Sequence, residues 1–318
     1  MKASVVIPAR DEAGTIAEVV SGAAAAVPGA EILVVDDGSA DGTVEAAVAA
    51  GARVVRHPYP MGNGAAIKTG ARLARGELLV FLDGDGQHDP GEAPRLLSAL
   101  SEGFDMAVGA RSAGAQASVW RRLANGLYNR IASYMTGQRV LDLTSGFRAV
   151  RASKFREFLH LLPNGFSYPT TITMAFYRAG YPVTFVPVRV RGRAPGSRSH
   201  VRPLRDGARF LLIIFRVATL YSPLKIFAPA AALLFLSAWA YYAYTFATMH
   251  RFTNMSATLL ITSVIVFLMG LISEQITMLL YREQHGAQPA PRPAQTPDGR
   301  PPLRSASPRE PREGVEEP

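Results

Sequence analysis

Residues 78–90 read LLVFLDGDGQHDP, an apolar run that passes directly into a cluster of acidic side chains. The run Leu78–Leu82 is short and uncharged, which predicts a buried strand. Carboxylates two residues apart on an extended tip, such as Asp83 and Asp85, point the same way and can share a hard divalent cation, whose other positions go to diphosphate oxygens. The stretch therefore predicts a metal and diphosphate site, with Gln87 as the next polar group, where this strand ends.

Three alternatives to this interpretation can be weighed from the same residues. An EF-hand loop starting at Asp83 is excluded, because its required Gly and final Glu would fall on His88 and Pro94. A phosphatase-like Asp nucleophile stays open on spacing alone. A plain polar turn after a buried strand also stays open, although such a turn does not need two Asp and a Gln on alternate positions.

The regions on both sides of this stretch indicate the fold class. Residues 1–188 alternate short β-branched runs with helix-length segments, and helical patterns lie between the first four runs and after the fifth. The predicted strands are Ser4–Ile7, Ile32–Val35, Arg53–Arg56, Leu78–Leu82 and Met106–Gly109. This alternation predicts an α/β fold with a mostly parallel sheet, in which ligands bind at the carboxyl ends of the strands.

Further polar clusters follow the first three predicted strands. Residues 8–12 follow the first, and Asp36 and Asp37 follow the second. Adjacent carboxylates repel each other, so their burial favours a ligand such as a base edge or a ribose hydroxyl, with a turn and helix cap as the alternative. Residues 62–64, with Lys68, open a helix after the third strand and could lay backbone amides against phosphate.

Composition and charge exclude some kinds of site and make some partners less favoured than others. The chain has 318 residues, 48% of them hydrophobic, and no cysteine, which excludes disulfides, thiolate metal sites and a cysteine nucleophile. Most of the net charge of +9 lies between Arg189 and Lys225, where nine Lys and Arg face the single Asp206. A basic block beside an apolar stretch is typical of a segment on an anionic membrane surface, and it makes a nucleic-acid partner the least favoured.

Two uncharged runs, residues 226–249 and 252–273, are each long enough to cross a bilayer, and a turn with His250 and Arg251 separates them. The amino terminus shows no export signal. Because the basic block lies beside the first of two crossings, the positive-inside rule predicts a two-pass protein of the cell membrane with a cytoplasmic catalytic domain and tail. Residues 286–318 contain nine Pro and no aromatic residue, which predicts disorder.

The predicted domain organisation follows from these segments. It comprises a catalytic domain (1–200), a basic amphipathic juxtamembrane segment (201–225), a two-helix transmembrane hairpin (226–282) and a disordered Pro-rich tail (283–318).

Three motifs in order, VIPARDE (6–12), VDDGSADGT (35–43) and DGDGQH (83–88), resemble the signature of inverting family 2 glycosyltransferases. Within that family, the chain is most similar to polyprenyl-phosphate hexosyltransferases of the dolichyl-phosphate mannose or glucose synthase type, including members with a membrane hairpin. Residues 108–111, 142–148 and 221–225 support the resemblance.

The resemblance implies a GT-A nucleotide-sugar-binding fold and a set of site residues. The nucleotide sugar would be bound by Pro8, Ala9, Arg10, Glu12, Val35, Asp36, Asp37, Asp83, Gly84, Asp85 and Gln87, to which Lys68 is added from its position after the third strand. Asp85, Gln87 and Asp83 would hold Mg²⁺ or Mn²⁺. Asp83, Asp85 and Arg111 would be catalytic, and the acceptor phosphate would meet Arg111, Arg193, Arg198 and His200.

The function implied is an inverting, metal-dependent transfer of a hexose from GDP-mannose or UDP-glucose to undecaprenyl or dolichyl phosphate at the membrane lipid surface. A membrane-anchored transferase with a soluble or glycan acceptor, and a catalytically inactive membrane scaffold, are the alternatives. The sequence leaves a homo-oligomer open. It also leaves open whether Asp142 and Arg148 line the acceptor site or brace a helix.

Overall fold

The computed structural model describes residues 2–111, 119–165, 168–189, 219 and 221–282. The strands in these ranges are β1 (Ala3–Ala9), β2 (Glu31–Asp36), β3 (Arg53–Arg56), β4 (Leu78–Phe81), β5 (Met106–Arg111), β6 (Arg148–Arg151) and β7 (Val183–Val188). The helices that accompany them are α1 (Ile16–Ala26), α2 (Thr43–Ala49), α3 (Asn63–Leu73), α4 (Ala93–Ser101), α5 (Val119–Thr136), α6 (Ala152–Glu157) and α7 (Tyr168–Arg178).

The strands form one mixed sheet in the order β3-β2-β1-β4-β6-β5-β7. Strands β1 to β4 pair in parallel, β6 runs antiparallel to both β4 and β5, and β7 is parallel to β5. The predicted α/β class and the five predicted strands are confirmed. Strands β6 and β7 and helix α4 were not predicted.

Helices cover both faces of the sheet because alternate side chains of each strand point to opposite faces. Val6 packs in an apolar cluster with α3, α6 and α7, whereas Val5 and Ile7 pack in a second cluster with α1 and α4. A Cβ on Gly70 of α3 would lie 2.2 Å from Val6 Cγ1, so α3 can approach the sheet this closely only with glycine there. Because helices cover both faces of the sheet, the loops at the carboxyl ends of the strands are where polar side chains can meet a ligand.

Two long apolar helices follow this sheet domain: the first hairpin helix (Leu224–Met249) and the second hairpin helix (Asn254–Arg282). His250, with a left-handed φ of 50°, ends the first helix. Both helices are long and apolar enough to cross a membrane, and side chains such as Leu236 and Ile272 are more than 60% exposed. The predicted pair of apolar helices is confirmed. The predicted juxtamembrane segment lies mostly, and the tail wholly, outside the described residues.

Candidate functional site

The ends of β1, β2 and β4 bring three of the polar clusters to one edge of the sheet. Ala9 lies opposite Asp36 in the β1–β2 register, and the Asp37 N–H donates to Ala9 O over 2.9 Å. The Gly84 N–H donates to Pro8 O over 3.3 Å. The predicted neighbourhood of residues 8–12, 36–37 and 83–87 is therefore present in the fold.

The loops after β1 and β2 are tied together by side chains. The Asp11 N–H donates to Ser39 Oγ (2.9 Å), the Ala40 N–H donates to Asp11 Oδ1 (2.9 Å), and the Glu12 N–H donates to Thr43 Oγ1 (2.8 Å). The Asp11 backbone adopts a left-handed φ of 54° within this arrangement. Ser39 and Thr43 thus hold the loop that carries Glu12, a contact that the sequence analysis did not identify.

Asp36 is fully buried, and groups of the protein itself engage its carboxylate. Arg56 Nε lies 3.2 Å from Asp36 Oδ2, and the Ser39 hydroxyl and N–H donate to the same carboxylate. The turn that was the alternative interpretation therefore accounts for the burial of Asp36 without a ligand. A contact between Asp36 and a nucleotide stays a prediction.

Asp37 organises the loop after β3. The N–H groups of Met61 and Gly62 donate to its two oxygens over 2.8 Å each, and His57 Nδ1 lies 2.8 Å from Oδ1. Burial raises the pKa of Asp37, but the His57 ring and these amides lower it more, and the net pKa is below the ordinary value. His57 Nε2 lies 3.0 Å from Thr69 Oγ1, so the ring links the loop to α3.

The structure gives Lys68 a partner that the sequence analysis did not foresee. Lys68 Nζ donates to Leu162 O over 3.2 Å and to Asn164 Oδ1. The Ala65 N–H, in the first turn of α3, donates to Asn164 O over 2.9 Å, and a Cβ on Gly64 would lie 2.0 Å from Pro163 O. Residues 162–164 therefore contact both Lys68 and the first turn of α3, and a role for Lys68 in nucleotide-sugar binding stays a prediction.

Asp83, Asp85 and Gln87 form an acidic tip after β4. The Gln87 N–H donates to Asp85 Oδ1 over 3.1 Å, and the Gln87 side-chain amide donates to Oδ2. Burial, together with the nearby charge of Asp85, raises the pKa of Asp83 to about 6, although Arg148 and Arg111 lower it. The site therefore carries negative charge at neutral pH that a cation would neutralise.

The donor atoms of this tip fit a hard divalent cation. The described residues contain no group of three or more His, Asp and Glu that would enclose a metal. Mg²⁺ does not need such a cage, because it is commonly bound by one or two carboxylates together with substrate phosphates and water. The oxygens of Asp83, Asp85 and Gln87 match that requirement, whereas a thiolate metal site is excluded by the absence of cysteine.

Arg111, the last residue of β5, is held by Asp142. Its Nε donates to Asp142 Oδ2 over 2.7 Å, its Nη2 donates to Oδ1 over 2.9 Å, and Nη2 also donates to Thr144 Oγ1. Burial raises the pKa of Asp142, but hydrogen bonds from Arg111 lower it more, so the carboxyl stays ionised at neutral pH. Asp142, whose role the sequence left open, orients the candidate acceptor arginine.

Arg148 lies fully buried behind the acidic tip. Its Nη1 donates to Pro169 O (3.1 Å) and Thr173 Oγ1 (3.2 Å) of α7, and its guanidinium lies 5.5 Å from the centre of the Tyr168 ring. Within the described residues its Nε has no hydrogen-bond partner. Arg148 therefore braces α7, as one of the two interpretations had it, and adds a positive charge that acts on Asp83.

Three of the predicted acceptor residues cannot be placed at this edge. Arg193, Arg198 and His200 lie outside the described residues, so their role stays a prediction.

Comparisons with known proteins agree with this architecture. Residues 4–159 match the family model "Glycosyl transferase family 2", and residues 222–279 match "GtrB C-terminal hairpin". The glycosyltransferase AglJ of Haloferax volcanii is 33% identical over 227 residues, which span 70% of this chain and 74% of AglJ. The polyprenol monophosphomannose synthase of Mycolicibacterium smegmatis is 34% identical, with 62% and 82% of the two chains covered.

A solved structure gives the same fold. Glucosyl-3-phosphoglycerate synthase of Mycobacterium tuberculosis, in complex with Mn²⁺, UDP and glucosyl-3-phosphoglycerate, superposes with a TM-score of 0.55 and 26% identity. The superposition covers 68% of this chain and 78% of the synthase.

Proposed function

The chain is a glycosyltransferase that belongs to glycosyl transferase family 2, and we propose that it transfers a hexose from GDP-mannose or UDP-glucose to a polyprenyl phosphate, with inversion at the anomeric carbon. One observation carries this proposal. The segment 142–146 contacts both an anchored arginine and the acidic tip: Asp142 holds Arg111, and a Cβ on Gly146 would lie 2.9 Å from Asp83 Oδ2. Asp83 and Arg111 accordingly affect each other's pKa. Such a pair of opposite charges suits a metal-bound diphosphate on one side and an incoming phosphate on the other.

The donor half of the site consists of the loops after β1, β2 and β4. Pro8, Arg10, Glu12 and the Asp36–Asp37 pair would surround the nucleotide, and Ala9, Val35 and Gly84 would contribute backbone. Residues 39–43 fix the loop that carries Glu12, which limits the reorganisation needed on binding.

The residues that would hold Mg²⁺ or Mn²⁺ are Asp85 and Gln87, with Asp83 beside them. When bound, the cation supplies charge neutralisation for the departing nucleoside diphosphate. The two carboxylates contribute by fixing the diphosphate end of the donor at the edge of the sheet. The described residues offer no thiolate or His cluster that would favour another class of metal.

The acceptor half needs orientation more than proton transfer. A lipid monophosphate is already ionised at neutral pH, so its oxygen can attack the anomeric carbon without a general base while the bond to the nucleoside diphosphate oxygen breaks. Arg111, held by Asp142, would bind that phosphate in line, and Arg193, Arg198 and His200 would add positive charge. The leaving oxygen departs with the bonding electrons, which inverts the configuration.

The hairpin anchors the chain in the membrane, where a polyprenyl phosphate resides. The nine cations of residues 189–225 favour the cytoplasmic side for the catalytic domain and tail. On this basis the boundaries 1–200, 201–225, 226–282 and 283–318 remain our proposed division into catalytic domain, juxtamembrane segment, hairpin and tail.

A soluble acceptor is the second candidate. The solved synthase with the same fold is complexed with glucosyl-3-phosphoglycerate, whose phosphoglycerate part carries a phosphate without a lipid chain. In that case the hairpin would serve only as an anchor. An inactive scaffold is less favoured, because the acidic tip and Arg111 are both present.

The test is radiolabel transfer by the full chain purified in detergent. Labelled GDP-mannose, UDP-glucose and UDP-galactose are each incubated with undecaprenyl phosphate, dolichyl phosphate or 3-phosphoglycerate, with Mg²⁺ or Mn²⁺ and with EDTA as control. An organic-extractable, EDTA-sensitive product supports the proposal. A water-soluble product formed only with phosphoglycerate would replace it with the second candidate, and nucleotide binding without any product would favour the scaffold.

A further inference from the structure

An acidic residue interrupts the apolar sequence of the second hairpin helix. Glu274 follows a run of 22 uncharged residues, 252–273, and its side chain is buried, with 12% of its surface exposed. A buried carboxylate in an apolar helix is costly unless a partner neutralises it, so its presence points to a specific interaction.

The partners of Glu274 come from the catalytic domain and from the entry to the hairpin. Arg178 Nη2 lies 3.2 Å from Glu274 Oε1. The Leu224 N–H and the Ser222 hydroxyl donate to Oε2 over 3.2 and 3.5 Å. Arg178 also donates to Tyr221 O, so one arginine binds both ends of the hairpin base.

Arg178 is the last residue of α7, and the first turn of α7 lies behind the acidic tip. Tyr168 donates its hydroxyl proton to Gly146 O over 3.1 Å, and Pro169 O accepts from Arg148 Nη1 over 3.1 Å. The helix has 11 residues, which spans about 16 Å at 1.5 Å per residue. It therefore connects the hairpin base to the region of Asp83 as one rigid element.

A second connection leads from the hairpin base to Arg111. Lys225 Nζ donates to Met135 O of α5 over 2.7 Å. In the same helix, the Asn129 side chain bonds Leu141 O (2.6 Å) and the Leu143 N–H (3.1 Å), on both sides of Asp142. Both charged halves of the site are thus coupled to the hairpin base, one through α7 and the other through α5.

We propose that the Arg178–Glu274 ion pair fixes the catalytic domain on the hairpin, so that both are positioning residues that set the height of the site for an acceptor phosphate carried by a membrane lipid. The inference rests on the proposed function. A long-chain acceptor has its phosphate at a height set by the bilayer, so the enzyme must present Arg111 at that height. A short water-soluble acceptor diffuses to the site and has no such requirement.

The variant Glu274→Gln removes the charge and keeps an oxygen that can accept from Leu224 and Ser222. We expect kcat/KM for undecaprenyl phosphate in nanodiscs to fall by at least about tenfold, because small misplacements are amplified in rate. The value for citronellyl phosphate in solution should change less than about twofold, since its position is not fixed by the bilayer. The double variant Arg178→Gln/Glu274→Gln should lose no more than Glu274→Gln, because both break the same ion pair and the two amides can still bond Tyr221 O, Leu224 and Ser222. Glu45→Gln, at an exposed position of α2, is the matched control.

A readout independent of activity keeps this test separate from the proposed function. Because the chain has no cysteine, nitroxides can be placed on introduced cysteines at Val48 of α2 and Met249 of the first hairpin helix, both exposed. The distance distribution between them, measured by pulsed EPR, should broaden in Glu274→Gln, broaden no further in the double variant, and stay as in the wild type in Glu45→Gln. An unchanged distribution, or equal losses on both acceptors, overturns the inference. Failure of the wild type on both acceptors overturns the proposed function, while the distance measurement still decides on the ion pair.

Discussion

The Arg111 guanidinium and the Asp142 carboxylate form a two-pronged ion pair at the end of β5, with Nε–Oδ2 and Nη2–Oδ1 distances of 2.7 and 2.9 Å. Asp142 is buried and Arg111 half-buried, so solvent screens the pair only weakly. Two parallel hydrogen bonds fix the plane of the guanidinium as well as its position. The orientation of the candidate acceptor arginine is therefore set before any substrate binds.

Asp142→Asn should impair use of the acceptor and spare the donor. The amide keeps the size of the side chain but loses the charge and one acceptor, which frees the Arg111 guanidinium to rotate. We expect kcat/KM for the lipid phosphate to fall on the order of a hundredfold, with nucleotide affinity unchanged. Steady-state transfer and calorimetric binding of the nucleotide measure the two effects.

A matched control for this variant lies at the other end of β5, the strand that carries Arg111. Asp105, just before β5, pairs with Arg151 Nε over 3.0 Å, away from the carboxyl edge. Asp105→Asn should leave kcat/KM close to the wild-type value. Equal losses in Asp105→Asn and Asp142→Asn would mean that general destabilisation, and not orientation of Arg111, explains the effect.

Gly146→Ala should displace Asp83. A Cβ at this position would lie 2.9 Å from Asp83 Oδ2, closer than carbon and oxygen normally approach. We expect the carboxylate to move and metal-dependent nucleotide binding to weaken about tenfold or more, since a small shift of a charged ligand is costly. Gly126→Ala, where nothing described lies within 4 Å of the added Cβ, is the control. Wild-type Mn²⁺-dependent binding in Gly146→Ala would contradict this role of the close contact.

The sequence predicted the elements whose signals are local and missed those that depend on distant contacts. Strand β4 was predicted because an uncharged run ends in the acidic tip. Strand β6, RAVR, was missed because Arg148 and Arg151 flank only two apolar residues, and Arg148 is buried only through partners on α7. Strand β7 contains Pro187, which argues against a central strand and suits its edge position.

The same distinction applies to the site. The spacing of Asp83 and Asp85 is visible in the chain, whereas Arg111 and Asp142 are 31 positions apart, and no local pattern predicts their contact. The start of α3 was predicted as a phosphate site from a local pattern. That role stays a prediction, whereas the contact of this segment with Asn164, roughly a hundred residues later, is one that no local pattern reveals.

The raised pKa of Asp83 predicts a pH-dependent stability cost. Its folded pKa is about 6, above the ordinary value of 3.8, so the folded state favours the protonated carboxyl. The stability that this preference contributes is fully present below pH 3.8 and is lost as pH rises through 6. Asp83→Asn should therefore raise the unfolding temperature of the metal-free protein at pH 7.5 and have little effect near pH 4.

Thermal unfolding in EDTA across this pH range is the measurement. Asp142→Asn provides a control of opposite sign, because the pKa of Asp142 is lowered and its ionised form stabilises the fold at neutral pH. A shift in Asp83→Asn that is the same at pH 4 and pH 7.5 would show that the Asp83 charge is not its cause.

Asp85→Ala should abolish transfer and leave the fold intact. Within the described residues, Asp85 forms its hydrogen bonds with Gln87 of its own turn, so little packing is lost, whereas a divalent cation would lose its principal carboxylate. We expect a loss in kcat on the order of a thousandfold, as for removal of one charge-stabilising group, with no fall in the unfolding temperature. Asp89→Ala is the matched control, since the Asp89 carboxylate accepts from the Gly91 N–H over 3.0 Å and serves a turn. EDTA should abolish transfer by the wild type, and added Mg²⁺ or Mn²⁺ should restore it. Near-normal turnover by purified Asp85→Ala would exclude Asp85 from the metal site and leave Asp83 as the remaining carboxylate.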